Sequence, residues 1–242
     1  MVQQVINAGN IHYRDLNNLV RSVEGDIEIN NCLGQRYIGA GLSGRTITVN
    51  GVAGNAVGAY LDGAIINING NAQDAAGDTM NAGKIIIHGN AGDAVGYAMR
   101  GGEIYVKGNT GYRSGIHMKA YKEFFPTVVI GGSCGSFLGE YQAGGLIIVL
   151  GIGCESGKSI GNFPGTGMHG GMILLRGNYA DLEVPPQVVL SKASDEDMEK
   201  AAKYIRNYCE YFGEDYDKII SGEFWAMTPN SHNPYKQLYV QN

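Results

Sequence analysis

The sequence predicts an all-β chain. Its core is a right-handed parallel β-helix of about seven coils, preceded by a short helical cap and followed by a helix plus an extended tail. Three observations predict it. First, Gly51, Gly70, Gly89 and Gly108 open successive units, each 19 residues after the last. A fixed period near 20 marks a solenoid, in which each unit buries its apolar face only against its neighbours. Second, glycines recur within the unit, as at Gly54, Gly92 and Gly111, at Gly58, Gly77, Gly96 and Gly115, and at Gly63, Gly83, Gly101 and Gly102. Third, the residues two and four places before each closing glycine are Val49/Ile47, Ile68/Ile66, Ile87/Ile85, Val106/Ile104, Val129/Thr127, Val149/Ile147 and Leu175/Ile173. Thirteen of these fourteen are aliphatic. Period-two alternation puts them on one strand face, the inside of the coil, and β-branched residues suit a packed, pleated surface. Glycine supplies the corners, and Asn71, Asn90, Asn109 and Asn178, each following an opening glycine, tolerate the left-handed region. Coils stack at roughly 4.8 Å.

Taken in order, residues 1–27 lie outside the repeat and form an amino-terminal cap. Tyr13 to Val23 reads as a helix with Leu16, Leu19, Val20 and Val23 on one face, covering the open end of the solenoid. A strand, Asp26 to Asn30, leads into the first coil. Residues 28–178 are the β-helix, with Cys32, Gly131, Gly151 and Gly177 continuing the series of opening positions. Two insertions interrupt it: Ile116 to Thr127, and the long step from Gly151 to Gly177, which contains NFPGTGMHGG. Insertions in solenoids collect on one side, often the binding side. Residues 179–242 hold a linker (Leu182 to Leu190), an amphipathic helix and the tail, all packed on the β-helix. Ser194 is the N-cap of that helix and Asp197 completes its box. Met198, Ala201, Ala202, Ile205, Tyr208, Cys209 and Phe212 share one face, and Gly213 is the stop. A second short helix runs from Asp215 to Ile220, and an aromatic-rich extended tail follows.

Composition sets limits. The 242 residues carry 38 glycines, too regularly spaced for low-complexity disorder, and a net charge of −5. No basic patch marks a nucleic-acid or anionic-membrane partner. The amino terminus lacks the pattern of a signal peptide, and Leu146 to Leu150, the longest apolar stretch, is too short to span a bilayer. The cysteines lack CxxC spacing, so no zinc site is expected, and the expected compartment is the reducing cytoplasm. Cys134 and Cys154 stand 20 residues apart, and a matching phase would stack them within reach of a disulfide.

The residues three places before each closing glycine point outward: Thr48, Asn67, Ile86, Tyr105, Val128, Ile148 and Leu174. The last five form an apolar stripe too continuous to leave wet. Its expected covers are the carboxy-terminal helix or tail and a partner chain, so Ile86, Tyr105, Val128, Ile148 and Leu174 are the candidate docking residues. No catalytic, cofactor or metal residue is assigned. Two GxGxxG strings, Gly39 to Gly44 and Gly165 to Gly170, are followed by strands rather than a helix, so the repeat explains them. The five histidines are scattered, and only His169, in the Gly-rich insertion, could belong to a site.

The unit GNAGDAVGYAMRGGEIYVKG, the run VIGGSCGSFLGEYQAGGLIIVLG and the later GTGMHGGMILLRGN resemble the GXGXG β-helix domain at the carboxy end of the glutamate synthase large subunit. NCLGQRYIGAGL and EFWAMTPNSHNPYKQLYV, with Pro229 followed by Tyr235-Lys236, resemble that family's flanks. The likeness covers about residues 24 to 242 and is greatest to the free-standing subunit of archaea and some bacteria. The repeat is shared with the β-helix subunit of formylmethanofuran dehydrogenase. The resemblance implies a non-catalytic scaffold in glutamate biosynthesis. It would space amidotransferase (glutaminase) and FMN synthase subunits, with FMN and iron–sulfur clusters in those partners and no cofactor in this chain. Self-association is left open. The alternatives are the corresponding scaffold of a formylmethanofuran dehydrogenase-type complex and a stand-alone β-helix carbohydrate-active enzyme.

Overall fold

The computed structural model describes residues 4–230. It is a parallel β-solenoid of about eight turns. Its strands are β1 (Gln4–Asn7), β2 (Ile27–Leu33), β3 (Thr46–Val52), β4 (Asp62–Asn69), β5 (Ala82–Ile87), β6 (Glu103–Val106), β7 (Thr127–Ile130), β8 (Ala143–Val149), β9 (Gly170–Arg176), β10 (Val188–Lys192) and β11 (Phe224–Pro229). Helix α1 (Tyr13–Ser22) follows β1, and α2 (Asp195–Phe212) and α3 (Tyr216–Ile220) lie between β10 and β11. One sheet runs β1 to β9 in chain order with parallel pairing, then continues β11, β10 with antiparallel pairing.

The interior is built from stacked columns. Ile47, Ile66, Ile85, Ile104, Val128, Ile147 and Ile173 make one, and Val49, Ile68, Ile87, Val106, Ile130, Val149 and Leu175 the next; all are buried in one cluster. A third column, Leu61, Met80, Met99, Met118 and Met168, lies in the same buried cluster, from the turns that precede the strands. Methionine suits it, being unbranched and able to fill uneven gaps. Gln142 stands in that column and turns its Nε2 to the carbonyls of Gly144 and Gly145, at 3.2 Å each. The turn glycines are required where the backbone meets this interior. Gly77 has φ +72°, and a Cβ there would strike Ile104 Cδ1.

The register departs from the sequence expectation in one coil. Val128 pairs with Ile104 and Ile147, and Val129 pairs with Tyr105 and Ile148. Val128 therefore faces inward and Val129 outward. The closing glycine is Gly132, not Gly131: a Cβ on Gly132 would meet Asn109, as one on Gly108 would meet Asn90. The insertion before β7 absorbs the extra residue. With this shift the inward pair of β7 is Val128 and Ile130, Thr127 leaves the inside set, and Gly132 to Gly151 is again a 19-residue step.

The flanks also differ. A strand, β1, adds a parallel rung inside the segment expected to lie outside the repeat. In α1 the buried residues are Leu16, Asn17 and Val20; Leu19 is exposed. Asn17 faces in because its Nδ2 donates to the carbonyls of Tyr13 and Arg36, at 2.7 and 2.8 Å. The stretch expected to be a linker ends in β10, which β11 holds to the sheet. The part of the tail that is described is that strand; Tyr235, Lys236 and the remainder lie outside the described residues.

Candidate functional site

Of the covers expected for the stripe, the carboxy-terminal helix or tail and a partner chain, it is the chain's own helix that packs on it. Ser194 caps α2 through a reciprocal box with Asp197, and Gly213 ends it at φ 72°. Ala201, Tyr204, Ile205, Tyr208, Cys209 and Phe212 pack on Ile86, Tyr105, Val129, Ile148 and Leu174. Polar contacts fix the fit. Tyr208 Oη donates to the Lys107 carbonyl at 3.0 Å, and Asn207 Nδ2 donates to Tyr105 Oη at 3.1 Å. Tyr105 Oη donates to Glu103 at 2.7 Å, and Lys84 Nζ reaches both Tyr211 Oη (3.0 Å) and Glu103 (3.6 Å). Burial pushes the Tyr105 phenol well above its ordinary range, so it stays a donor to Glu103. Ile86, Tyr105, Ile148 and Leu174 are thus unavailable to another chain, and Val128 lies in the interior. The helix covers them because its own apolar face needs the same burial.

The exposed chemistry lies on the turn face instead. Each coil there holds three residues in the left-handed region, spaced two apart in sequence; the middle one is always glycine, and the outer two carry the variation. In the middle coils these are Ala56 and Tyr60, Ala75 and Thr79, and Ala94 and Ala98; in the later ones Arg113 and His117, then Phe137 and Tyr141, then Phe163 and Gly167. From Ala56 to Tyr141, the N–H of each donates to the next coil, as from Arg113 to Ser136 (2.9 Å), His117 to Glu140 (2.9 Å) and Tyr141 to Thr166 (2.7 Å). This ladder fixes the backbone, and the side chains project outward in two ridges.

Along one ridge the guanidinium of Arg113 lies 5.1 Å from the Phe137 ring centroid, and Phe137 stacks on Phe163 at 5.4 Å. Arg113 also pairs with Glu140 at 3.4 Å. Along the other, His117 stacks on Tyr141 at 5.2 Å and 8°, with Tyr97 edge-on to His117 at 5.8 Å. Phe163 is 61% exposed and Tyr141 41%. Positive φ at a bulky residue costs roughly 1–2 kcal/mol that glycine avoids. An exposed aromatic pair offsets part of that. Phe163 and Tyr141 are thus exposed rings on a left-handed turn that every coil repeats from Ala56 onward.

The alternation of the strands says nothing of this face. Its signal lies in the residue two places before each turn glycine, which changes from Ala56, Ala75 and Ala94 to Arg113, Phe137 and Phe163. His169, by contrast, is half-buried with Nδ1 3.1 Å from the Gly167 carbonyl. Cys134 bridges to Ile160, not Cys154, because the loop in the 26-residue step carries Cys154 out of phase. All four cysteines are free, and burial pushes the Cys134 thiol up to about 12. Among the described residues no group of three His, Cys, Asp or Glu is placed to hold a metal, and no helix is long and apolar enough to cross a membrane.

Three similarities to known proteins concern the chain as a whole. The GXGXG motif family model matches residues 2–232. An uncharacterized protein of Methanocaldococcus jannaschii is 41% identical over 254 residues, spanning 99% of this chain and 97% of that one. A chain in the structure of the formyltransferase/hydrolase complex FhcABCD from Methylorubrum extorquens, in complex with methylofuran, aligns with TM-score 0.62. That alignment has 21% identity and covers 91% of this chain and 88% of the other. At that identity the likeness concerns the fold, and it reaches past the repeat into the flanks. With a family model spanning nearly its whole length, the chain belongs to the GXGXG family.

Proposed function

We propose that the chain is a non-catalytic scaffold subunit of a multi-subunit enzyme complex, of the formyltransferase/hydrolase kind to which its structural neighbour belongs. The observation that carries the reading is the turn face: Arg113, Phe137, Phe163, His117 and Tyr141 are held outward in a conformation that costs stability. A rigid rod with such a face suits a spacer between catalytic chains. In this reading the cofactors sit in the partners.

A second reading, the glutamate-synthase type with amidotransferase and FMN synthase partners, is favoured by the flanking sequences NCLGQRYIGAGL and EFWAMTP. The latter enters the sheet as β11.

Affinity purification of the tagged chain from its native host, with mass identification, separates the two. Formyltransferase or hydrolase subunits are the expected partners, and Phe137→Asp with Tyr141→Asp should release them while the β signal in circular dichroism is kept. Glutaminase and FMN subunits would establish the second reading. Recovery of the chain alone at native expression would overturn both.

A further inference from the structure

The first insertion carries its extra residues in a hairpin on the surface. Tyr121 and Phe124 exchange both main-chain hydrogen bonds, at 3.1 and 3.0 Å, and Lys122 turns between them at φ 54°. The hairpin seats on Gly101, where a Cβ would come within 3.2 Å of Phe124 Cβ. Its rings nevertheless stay in water: Tyr121 is 57% exposed and Phe124 40%. A fixed hairpin that leaves two rings wet adds little to the core.

The coils beside it supply charge. Asn81, Arg100 and Lys119 hold the same place in three successive coils. Their N–H groups donate to the carbonyls of Leu61, Met80 and Met99, at 2.8, 2.8 and 3.0 Å. Two cations are thus fixed one coil apart, although like charges so close repel. Arg100 makes no hydrogen bond or ion pair among the described residues.

Hairpin and coils enclose one pocket of about 310 Å³, lined by Asn81, Arg100, Lys119, Tyr121 and Phe124. No acid lines it. Glu123, the hairpin's one acid, lines a separate groove with Lys84, Glu103 and Lys203. A third cation, Lys122, lies with its Nζ 5.2 Å from the Tyr121 ring centroid. Ligand sites combine apolar walls with a few convergent polar groups in this way. Rings accept a flat apolar body, and arginine and lysine accept a carboxylate or phosphate.

We propose that this pocket binds a small organic anion. Its flat apolar body lies against Tyr121 and Phe124, and its carboxylate or phosphate meets Arg100 and Lys119. The site is made by this chain alone, so it stands whether or not the scaffold reading does.

The test is equilibrium dialysis of the full chain with three fluorescent probes: 1-naphthoate, 1-naphthyl phosphate and neutral 1-naphthol. At least one of the two anions should bind one to one, about tenfold or more tighter than naphthol, and the tighter of them names the headgroup. Its affinity for the wild type should fall as salt rises. Arg100→Gln with Lys119→Gln should weaken the anion by about tenfold or more and leave naphthol unchanged. Tyr121→Ala should weaken anion and naphthol alike. Circular dichroism should match the wild type in each variant, and the naphthol and salt comparisons need no variant. No binding of either anion to the wild type, naphthol binding as tightly as the anions, an affinity indifferent to salt, or equal binding by the double variant would each overturn the proposal.

Discussion

Phe163 sets a backbone cost against a surface gain. Its φ is 59°, its ring is mostly exposed, and that ring stacks on Phe137 at 5.4 Å. Glycine at this place removes about 1–2 kcal/mol of left-handed strain, loses a pair worth about 0.5–1.5 kcal/mol, and frees the unfolded chain somewhat. Phe163→Gly should therefore melt at or slightly above the wild-type temperature. A fall of several degrees in a thermal melt would show that the ring is held for stability, and would remove the reason for assigning the ridge to a partner. Val128 makes a complementary point. Its neighbours in space, Ile104 and Ile147, place it inside, although counting from Gly131 places it outside.

At the scale of the element, α2 is the piece whose role a local reading could name but not locate. Its cap, its acidic first turn and its αL stop are all local chemistry. Its docking is not local: Asn207 and Tyr208 meet Tyr105 and Lys107, about a hundred residues earlier in the chain. Ile205 is fully buried between helix and sheet. Ile205→Asp places a carboxylate there at a cost of several kcal/mol, more than the helix can hold, so it should leave the sheet. Hydrogen exchange should then show lost protection across α2 while β3 to β5 stay protected, and the bared stripe should promote aggregation. Uniform loss of protection would instead mean that helix and solenoid form one cooperative unit.

Across the whole molecule, each coil touches only its neighbours, so the interior columns act as a chain of nearest-neighbour contacts. Ile85 sits in the middle of that chain, stacked between Ile66 and Ile104. Ile85→Asp should unfold the protein at room temperature, because an unpaired carboxylate in the column costs several kcal/mol against a total margin of about 5–15 kcal/mol. Circular dichroism reads the result directly; a variant that keeps its β signal and melts with the wild type would refute the assigned interior. The same stacking gives the rod fixed spacing between its faces, which is the property a scaffold requires.

What the sequence determined by itself was the solenoid: its period, its glycine corners and the aliphatic columns from Ile47 to Ile104. In a stacked repeat the residue that packs on another is one period away, so a linear count is also a map of contacts. The tertiary structure decided whatever broke that count. The insertion at Ile116 to Thr127 hid the phase of β7, and the order β9, β11, β10 reversed the sequence order at the end of the sheet. The choice of α2 as the cover for the stripe was a competition between apolar faces far apart in the chain. Burial is non-directional, so the pattern shows that such a face must be covered and offers the carboxy-terminal helix or tail and a partner chain as covers; the folded chain decides for the helix.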